Sequence, residues 1–215
     1  MKVGGRRQVK ANIKNGLLIE ERRERIVEAA IEVFLTKGFH AASTRDVCIQ
    51  AGMTPGTLYN YIRSKGDILY LVCDQAVTRY HEAIERAIDG VDEPRERLER
   101  AVRAMVEAQQ RHRKNILLVL REAHALDAES GRAVLARVDG FIDTIRGLIE
   151  AVRPDGAKGA SAALLAEAIT YLPTMLAMRR WRVRRDLAAE DVVGGLVQMI
   201  YRMLDMAADD TTSSG

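Results

Sequence analysis

Apolar residues recur at intervals of three and four positions along most of the chain, the spacing that places side chains on one face of an α-helix. The first such segment begins at Glu20 and ends at Gly38, with apolar positions at Ile26, Ala30, Val33 and Phe34. Two short helices are predicted within 44–65. Six longer segments follow, at 67–89, 95–113, 115–126, 130–152, 159–182 and 189–207. The pattern therefore predicts an all-α protein of nine helices.

Start and stop signals for the two short helices lie close together in the segment 44–65. The hydroxyls of Ser43 and Thr44 are suited to the free backbone amides at the start of the first helix. Gly52 tolerates the positive φ that ends a helix, and Met53 supplies an apolar contact after the turn. The first helix is therefore expected to end near Gln50, with its inward positions at Val47, Cys48 and Ala51.

A second short helix is predicted to begin directly after this turn, within the segment that ends at Lys65. Thr54 is a good N-cap, and Pro55 fits the first helical position because its missing N–H costs nothing there. Leu58 and Ile62 are four residues apart and are expected to pack inward. Polar and aromatic side chains then occupy the outer face, at Thr57, Tyr59, Asn60 and Tyr61.

Two helices joined by such a turn form a helix-turn-helix, whose second helix enters the major groove of DNA. Threonine and asparagine can hydrogen-bond base edges, while tyrosine hydroxyls and lysine bind phosphates. The alternative is an αα-hairpin inside a helical bundle, with the aromatic residues in its core. The predicted DNA-binding residues are Thr44, Arg45, Thr54, Pro55, Gly56, Thr57, Tyr59, Asn60, Tyr61 and Lys65.

Residues 25–69 closely resemble the N-terminal DNA-binding domain of TetR-family transcriptional regulators. Three residues depart from the family pattern: Cys48 replaces the usual alanine, Ile62 the usual phenylalanine, and Gly66 a frequent glutamate. Each is a change in packing or at a helix start, so the DNA-binding interpretation stands. The matching residues are Ile26, Ala29, Ala30, Phe34, Gly38, Phe39, Thr44, Val47, Ala51, Gly52, Thr57, Leu58, Tyr59, Tyr61, Lys65 and Leu69.

The resemblance implies an N-terminal three-helix DNA-binding domain and a six-helix ligand-binding and dimerisation domain. We expect a flexible basic arm at 1–19, the helix-turn-helix domain at 20–66, the effector-binding and dimerisation domain at 67–208, and a disordered tail at 209–215. In such regulators a small molecule spreads the two DNA-binding domains. The helix at 67–89 would be about 35 Å long, enough to transmit that movement.

Basic residues are concentrated in the N-terminal part of the chain. Residues 1–65 contain 12 Lys+Arg and 6 Asp+Glu, a net charge of +6, whereas the remainder contains 21 and 24, a net charge of −3. This asymmetry favours attraction of the N-terminal domain to phosphates. The arm itself is either a solvated tail or a basic segment that reaches along the DNA backbone or into a minor groove.

Composition and cysteine usage indicate a folded cytoplasmic protein. The chain is 47% hydrophobic and 29% charged, and its two cysteines, Cys48 and Cys73, have no metal-ligand spacing. Both are expected to be buried thiols, and no metal or other cofactor is expected. The longest apolar run, 160–178, contains Glu167 and Pro173, which argues against a membrane span.

The last two helices are expected to form a homodimer interface. Gly194 and Gly195 remove side chains from the final helix where another helix could approach, and close packing would offset the ~1 kcal/mol that each interior glycine costs. The alternative is a monomer in which this helix is simply central. The predicted interface residues are Leu165, Ile169, Leu176, Val193, Leu196, Val197, Ile200 and Leu204.

A cluster of five arginines surrounds Trp181 in the sequence RRWRVRR at 179–185. It is either a helix C-terminus with solvated charges or an anion site at the mouth of an apolar cavity, where arginines bind phosphates and Trp181 stacks on a ring. An acyl-CoA has both an apolar chain and phosphates, and the segments 121–131 and 181–191 resemble fatty-acid- or acyl-CoA-responsive family members. The predicted effector-binding residues are Met105, Leu120, Phe141, Ile145, Leu172, Met175, Arg180, Trp181, Arg184 and Arg185; the apolar ones could equally fill a core.

The sequence contains no HExxH, GxSxG or glycine-rich phosphate loop, so an enzyme is not expected. An all-helical lipid or acyl-CoA carrier is an alternative, but it leaves the basic N-terminal domain unexplained. We therefore expect a homodimeric, ligand-responsive transcriptional repressor. It is expected to bind a palindromic operator and to be released by a small apolar effector such as an acyl-CoA or a fatty acid.

Overall fold

The computed structural model describes residues 7, 9, 16–153, 161–178 and 189–204. Over these residues the chain forms nine α-helices, one short 3₁₀ helix and no strand. The prediction of an all-α, nine-helix fold is confirmed. Helices α1 to α9 span Gly16–Lys37, Thr44–Ala51, Pro55–Tyr59, Lys65–Ile88, Pro94–Arg111, Arg113–Glu122, Ala128–Val152, Ala162–Met178 and Ala189–Met203, and the 3₁₀ helix spans Ala123–Ala125. The predicted tail at 209–215 lies outside the described residues.

Helix α1 begins earlier than predicted, at Gly16 instead of Glu20. Its first turn exposes Leu17, so the helix extends beyond its buried face. Apolar periodicity detects only the part of a helix that packs against something, and it therefore missed this turn.

Helix α3 ends at Tyr59, so Tyr61 and Ile62, which were predicted to lie on this helix, follow its end. A new helix start follows it. The backbone N–H of Asp67 donates to the hydroxyl of Ser64 (3.1 Å), and the carboxylate of Asp67 accepts from the backbone N–H of Arg63 (2.9 Å). These bonds cap the start of α4, and residues 60–64 between α3 and α4 therefore form a turn.

The chain divides into two compact units, and α4 and α7 each contribute to both. The first unit contains residues 1–78 and 114–140, and the second contains 79–113 and 141–215. This division of packing differs from the domain boundary predicted after residue 66, which stays a prediction.

The core of the first unit joins α1 to α4 with parts of α6 and α7. Phe34, Leu58 and Tyr70 are fully buried at its centre. A buried ion pair also links α7 to α4, with Arg137 Nε 3.0 Å from Asp74 Oδ1. The guanidinium of Arg137 further donates to the hydroxyl of Thr78 (2.7 Å). Segment 114–140 is therefore held to the N-terminal helices by both apolar and charged contacts.

Both cysteines are free and buried, as predicted. Burial, with a smaller contribution from the carboxylate of Asp74, raises the pKa of Cys73 to about 12. The thiol therefore stays protonated at neutral pH and packs as a small apolar group.

In the second unit α5, α8 and α9 pack against one another. The amide of Gln109 donates to the carbonyl of Thr170 on α8 (3.3 Å), and the hydroxyl of Tyr201 on α9 donates to the carbonyl of Glu99 (3.2 Å). Apolar side chains of all three helices fill the space between them, among them Leu98, Val102, Met105, Ile169, Leu196 and Ile200.

This packing corrects most of the predicted dimer interface. The apolar periodicity of α8 and α9 identified the face that packs on α5 within the same chain, not a face left for a partner. Val193 is half-buried, and the side chain of Leu176 lies outside the described residues. The predicted interface residues that are instead buried in the single chain are Leu165, Ile169, Leu196, Val197, Ile200 and Leu204.

None of the described helices combines the length and the apolar character needed to cross a membrane.

Candidate nucleic-acid interface

Helix α2 begins with a reciprocal pair of hydrogen bonds. The backbone N–H of Asp46 donates to the hydroxyl of Ser43 (3.1 Å), and the backbone N–H of Ser43 donates to the carboxylate of Asp46 (2.8 Å). The ammonium of Lys37 also donates to this carboxylate (2.6 Å). Lys37 first, and then the bonds from Ser43, hold the pKa of Asp46 well below its usual range. The predicted N-cap at Ser43 is confirmed. The Asp46 carboxylate is ionised, and the ammonium of Lys37 offsets its charge.

The turn after α2 has the geometry that the sequence predicts. Gly52 adopts φ 61°, and the backbone N–H of Met53 donates to the carbonyl of Cys48 (2.9 Å). A side chain at Gly52 would be strained by this φ and would also lie 3.0 Å from the guanidinium of Arg25. Glycine at this position therefore fixes the angle at which the chain leaves α2.

Helix α3 starts at Pro55 with Thr54 as its N-cap, as predicted. The hydroxyl of Thr54 accepts from the backbone N–H of Thr57 (3.2 Å) and lies 2.9 Å from the Thr57 hydroxyl. Leu58 and Ile62 are fully buried, which confirms the inward positions of this segment. The cap and the buried Leu58 thus fix which side of this short helix faces outward.

Polar groups cover the outer side of α3. Pro55, Gly56 and Asn60 are exposed, and the side chain of Tyr59 is 46% exposed. The phenol oxygen of Tyr59 lies 3.1 Å from the hydroxyl of Thr44 at the start of α2. Thr44, which was predicted to help cap α2, thus orients the tyrosine instead. The surface offers hydroxyl, phenol and amide groups to base edges and phosphates.

Two predicted outward residues do not occupy that surface. The side chain of Tyr61 is only 4% exposed, because α3 has already ended and the following turn directs residue 61 into the core. Lys65 donates its three N–H groups to the carbonyls of Phe39, His40 and Ala42, at 2.7, 3.1 and 2.8 Å. An ammonium has three donors, so none is left for a phosphate in this conformation.

Arg7 and Val9, the two residues of the basic arm that are described before α1, contact other residues of the first unit. The backbone N–H of Arg7 donates to the phenol of Tyr70 (2.7 Å), and its guanidinium pairs with Asp67 (2.9 Å). Val9 is buried, and its carbonyl accepts a hydrogen bond from Arg23. Sequence reasoning missed these contacts because no local signal relates residue 7 to residue 67. Arm residues 1–6, 8 and 10–15 lie outside the described residues.

The residues predicted to bind an effector divide into three sets. Met105, Phe141 and Ile145 are buried in the second unit. Leu172 and Met175 are half-buried there. Leu120 belongs to the first unit and is 45% exposed, so its assignment to an interior apolar lining is wrong; α6 turns it to solvent. The arginine cluster, with Arg180, Trp181, Arg184 and Arg185, lies outside the described residues.

One buried polar group in the second unit was not predicted. The hydroxyl of Tyr80 has no hydrogen-bond partner among the described residues, and its ring lies 5.8 Å from that of Phe141. Burial raises the pKa of Tyr80 above its usual range, which keeps the phenol protonated. In the sequence this tyrosine simply occupied an apolar position of the helix, so nothing marked its hydroxyl. Over the part of the chain that the structure describes, no three His, Cys, Asp or Glu side chains are grouped as metal ligands would be.

Comparison with known proteins finds two domain families in this chain. Residues 26–70 match the family described as bacterial regulatory proteins, tetR family, and residues 91–204 match the tetracyclin repressor-like C-terminal domain. The HTH-type transcriptional regulator HbdR from Aromatoleum sp. (strain CIB) is 30% identical over 209 residues, which cover 95% of this chain and 90% of HbdR.

Solved structures share the fold. A tetR-family regulatory protein from Rhodococcus RHA1 superposes with a TM-score of 0.75 at 24% identity, over 88% of this chain and 99% of that protein. AibR, in a complex with isovaleryl coenzyme A and operator DNA, superposes with a TM-score of 0.69 at 19% identity, over 83% of this chain and 97% of AibR.

Proposed function

Because the chain belongs to the TetR family of transcriptional regulators, we propose that it binds a palindromic operator as a homodimer and releases it when a small effector binds. It is a DNA-binding regulator and not an enzyme. The observation that carries the operator proposal is the capped helix-turn-helix, whose second helix turns a polar side outward.

In this proposal base edges are contacted by α3 and phosphates by the residues around it. Thr57 and Asn60 provide the groups for base edges, and Gly56 lets the backbone approach the groove. Arg45 and the Thr44–Tyr59 pair bind phosphates. Thr54 and Pro55 complete the DNA-binding surface by fixing the start of α3.

The homodimer uses the sides of α8 and α9 that the core leaves free. Leu164, Tyr171 and Met178 follow one another at intervals of seven along α8, and Leu164 is 61% exposed. On α9, Met199 and Met203 are exposed apolar residues four positions apart. This spacing suits packing against the same helices of a second copy. Paired recognition helices about 34 Å apart would then reach successive major grooves.

The glycines of α9 fit this arrangement. A side chain at Gly194 or Gly195 would meet no other side chain or helix within 4 Å over the described residues. Core packing within the chain therefore does not require glycine here, whereas the close approach of a partner helix would. Gly195, four residues before Met199, therefore supports the same face of α9 as an interface, whereas Gly194 lies on a different side of the helix.

The effector is proposed to bind in the second unit, beside Met105, Phe141, Ile145, Leu172 and Met175. Its proposed class is an acyl-CoA or a fatty acid, and the ligand of AibR supports this class. Release requires that the effector bind the DNA-incompetent form better than the DNA-bound form, and DNA must then weaken effector binding by the same factor. A regulator that leaves its operator in this way acts as a repressor.

The operator proposal is tested by fluorescence anisotropy with a labelled fragment from immediately upstream of the protein's own gene. A shuffled fragment of equal length is the control. We expect tighter binding to the upstream fragment, with the logarithm of affinity falling by about 0.9 per contacted phosphate for each tenfold rise in salt. Equal affinity for both fragments at every salt concentration would contradict the proposal.

The repressor proposal is tested with a reporter gene behind the same fragment. We expect expression to be low with the regulator present and to rise when a ligand that stabilises the protein in a thermal-shift screen is added. Higher expression with the regulator than without it would show activation instead.

A further inference from the structure

Four polar residues of the second unit belong to the junction where α5 ends and α6 begins, or contact it. Gln110, His112 and Arg113 lie together in the chain, and Arg79 of α4 donates from Nη1 to Nδ1 of His112 (3.2 Å). We name these four residues the donor corner, and each of them is half-buried. Resting on the proposed effector function, we propose that the donor corner binds an anionic group of the effector, either a carboxylate or a phosphate.

The first observation is that the corner holds donors without acceptors. Nε2 of Gln110 and Nη1 of Arg113 are shielded from solvent and have no hydrogen-bond partner among the described residues. Burying such groups unpaired costs free energy, and the cost is larger for a charged guanidinium. A bound carboxylate or phosphate would supply the missing acceptors through strong charge-assisted hydrogen bonds.

The second observation is that no protein carboxylate neutralises the corner. In the described part of the chain no Asp or Glu oxygen lies within 4.0 Å of a side-chain nitrogen of Arg79, Arg111 or Arg113. The nearest acids along the same helices, Glu82 and Glu107, are exposed.

Some other arginines of the second unit do have a carboxylate partner. Arg95 pairs with Glu99 at 3.1 Å and Arg146 with Asp143 at 3.2 Å. Both pairs are on solvent-facing sides of helices. Arg79 and Arg113 are more buried than Arg146 and nevertheless lack an anion, which is the reverse of what burial of charge favours.

The third observation concerns His112. Arginine can only donate, so Nδ1 of His112 accepts from Arg79 and the proton of the neutral ring lies on Nε2. Burial, followed by the charges of Arg79 and Arg111, lowers the pKa of His112. The neutral ring avoids adding a further positive charge and still presents one N–H donor. A bound anion would offset the neighbouring cations and raise this pKa.

All four residues belong to the second unit, whereas the candidate DNA-binding residues belong to the first. In this proposal the donor corner binds the polar half of an amphipathic effector, and the apolar residues of the same unit bind its apolar half. These residues are different from the arginines of 179–185, which the sequence suggested as the anion site.

The test compares three ligands with the same ten-carbon chain: decanoate, decanoyl-CoA and 1-decanol. Isothermal titration calorimetry on the full-length protein, without DNA, should show that at least one anionic ligand binds more tightly than decanol. Arg79→Gln and Arg113→Gln should each weaken that ligand roughly ten- to hundredfold, and should leave decanol affinity unchanged. The matched control is Arg86→Gln, which removes an exposed arginine of α4 in the same unit and should behave as wild type. Selective loss of decanoate indicates a carboxylate site, and selective loss of decanoyl-CoA indicates a phosphate site.

A second measurement does not depend on the acyl chain. The protein has four histidines, so the ring signal of His112 can be assigned in an NMR spectrum by comparison with His112→Gln. Inorganic phosphate should shift this signal and raise the pKa of His112 in the wild type, with a smaller change in Arg113→Gln.

The proposal is overturned if the arginine variants lose decanol as much as they lose the anionic ligands. It is equally overturned if neither the three ligands nor phosphate binds the wild type. Operator affinity is measured on the same preparations by anisotropy. Its absence would refute the regulator proposal, while the calorimetry and NMR would still decide the anion site.

Discussion

The guanidinium of Arg7 lies 2.9 Å from the carboxylate of Asp67, a contact between two residues that are sixty positions apart. Asp67 is nearly buried at the start of α4 and also accepts a hydrogen bond from the backbone of Arg63. The guanidinium additionally lies over the ring of Tyr70, at 5.2 Å from its centroid. Arg7 therefore stabilises the point at which the chain leaves the helix-turn-helix and enters α4.

Arg7→Gln should reduce the free energy of unfolding by about 1–3 kcal/mol, because it leaves a buried carboxylate without its cation. Urea denaturation measures the change. Arg45→Gln, which removes a charge at an exposed position of α2, is the control, with little expected effect on stability. If Arg7→Gln weakened DNA binding but left stability unchanged, the residue would serve the operator and not the fold.

Lys65→Gln should lower stability, by about 1–3 kcal/mol, since three loop carbonyls lose their donor. The salt dependence of DNA binding should not change. Arg45→Gln, at an exposed position of α2, should do the opposite: unchanged stability, and a salt slope smaller by about 0.9. Anisotropy titrations between 50 and 300 mM salt separate the two. A reduced slope in Lys65→Gln would restore the predicted phosphate contact.

Tyr59→Phe and Thr57→Ala should affect DNA binding differently. Loss of the phenol hydroxyl removes a proposed phosphate contact and should weaken operator and shuffled DNA by similar factors. Loss of the Thr57 side chain should mainly weaken the operator, by about 1–3 kcal/mol, and relax sequence preference. Competition titrations against single-base operator variants give the measurement. Identical changes in preference for the two variants would refute this division of roles.

Leu164→Asp and Met199→Asp should convert the proposed dimer into a monomer, because each places a charge on an exposed apolar face of α8 or α9. Sedimentation velocity reports the mass. Leu135→Asp, on an exposed position of α7, is the matched control and should remain dimeric. Leu196→Ala should instead lower stability by about 2–5 kcal/mol, as expected for a core residue. If both variants remain dimeric, the dimer interface lies elsewhere on the molecule.

His112 should make the protein less stable in mild acid. Its pKa is lowered in the folded protein from the ordinary value of 6.5, by burial and by the charges of Arg79 and Arg111. As the pH falls below 6.5 the unfolded chain therefore binds more protons at this residue than the folded protein does, and stability decreases. Thermal unfolding at pH 5.5 and 7.5 should show a smaller difference for His112→Gln than for the wild type. An equal difference would mean that His112 titrates normally.

Local chemistry explains why much of the helix-turn-helix was predictable. Ser43, Gly52 and Pro55 act through their own backbone and their immediate neighbours, so their roles can be recognised without any tertiary information. The same is true of the inward positions Leu58 and Ile62, which follow from helical spacing.

The misses arose where distant parts of the chain decide the outcome. Lys65 was assigned to a phosphate, but its ammonium is held by carbonyls more than twenty positions earlier in the chain. Tyr61 was assigned to an outer face, but the core of the first unit buries its side chain. Leu196 and Ile200 were correctly recognised as an apolar stripe. However, periodicity cannot tell whether a stripe is covered by the same chain or by a partner, and here α5 covers it.

The bond network of Lys65 has one more consequence. Its hydrogen bonds to the carbonyls of Phe39, His40 and Ala42 join the two ends of the segment that contains α2 and α3. The exposed residues Gly56 and Asn60 take no part in these hydrogen bonds. Substitutions at the residues proposed to contact bases can therefore leave this frame intact, so that the sequence preference of the protein can change without a change of fold.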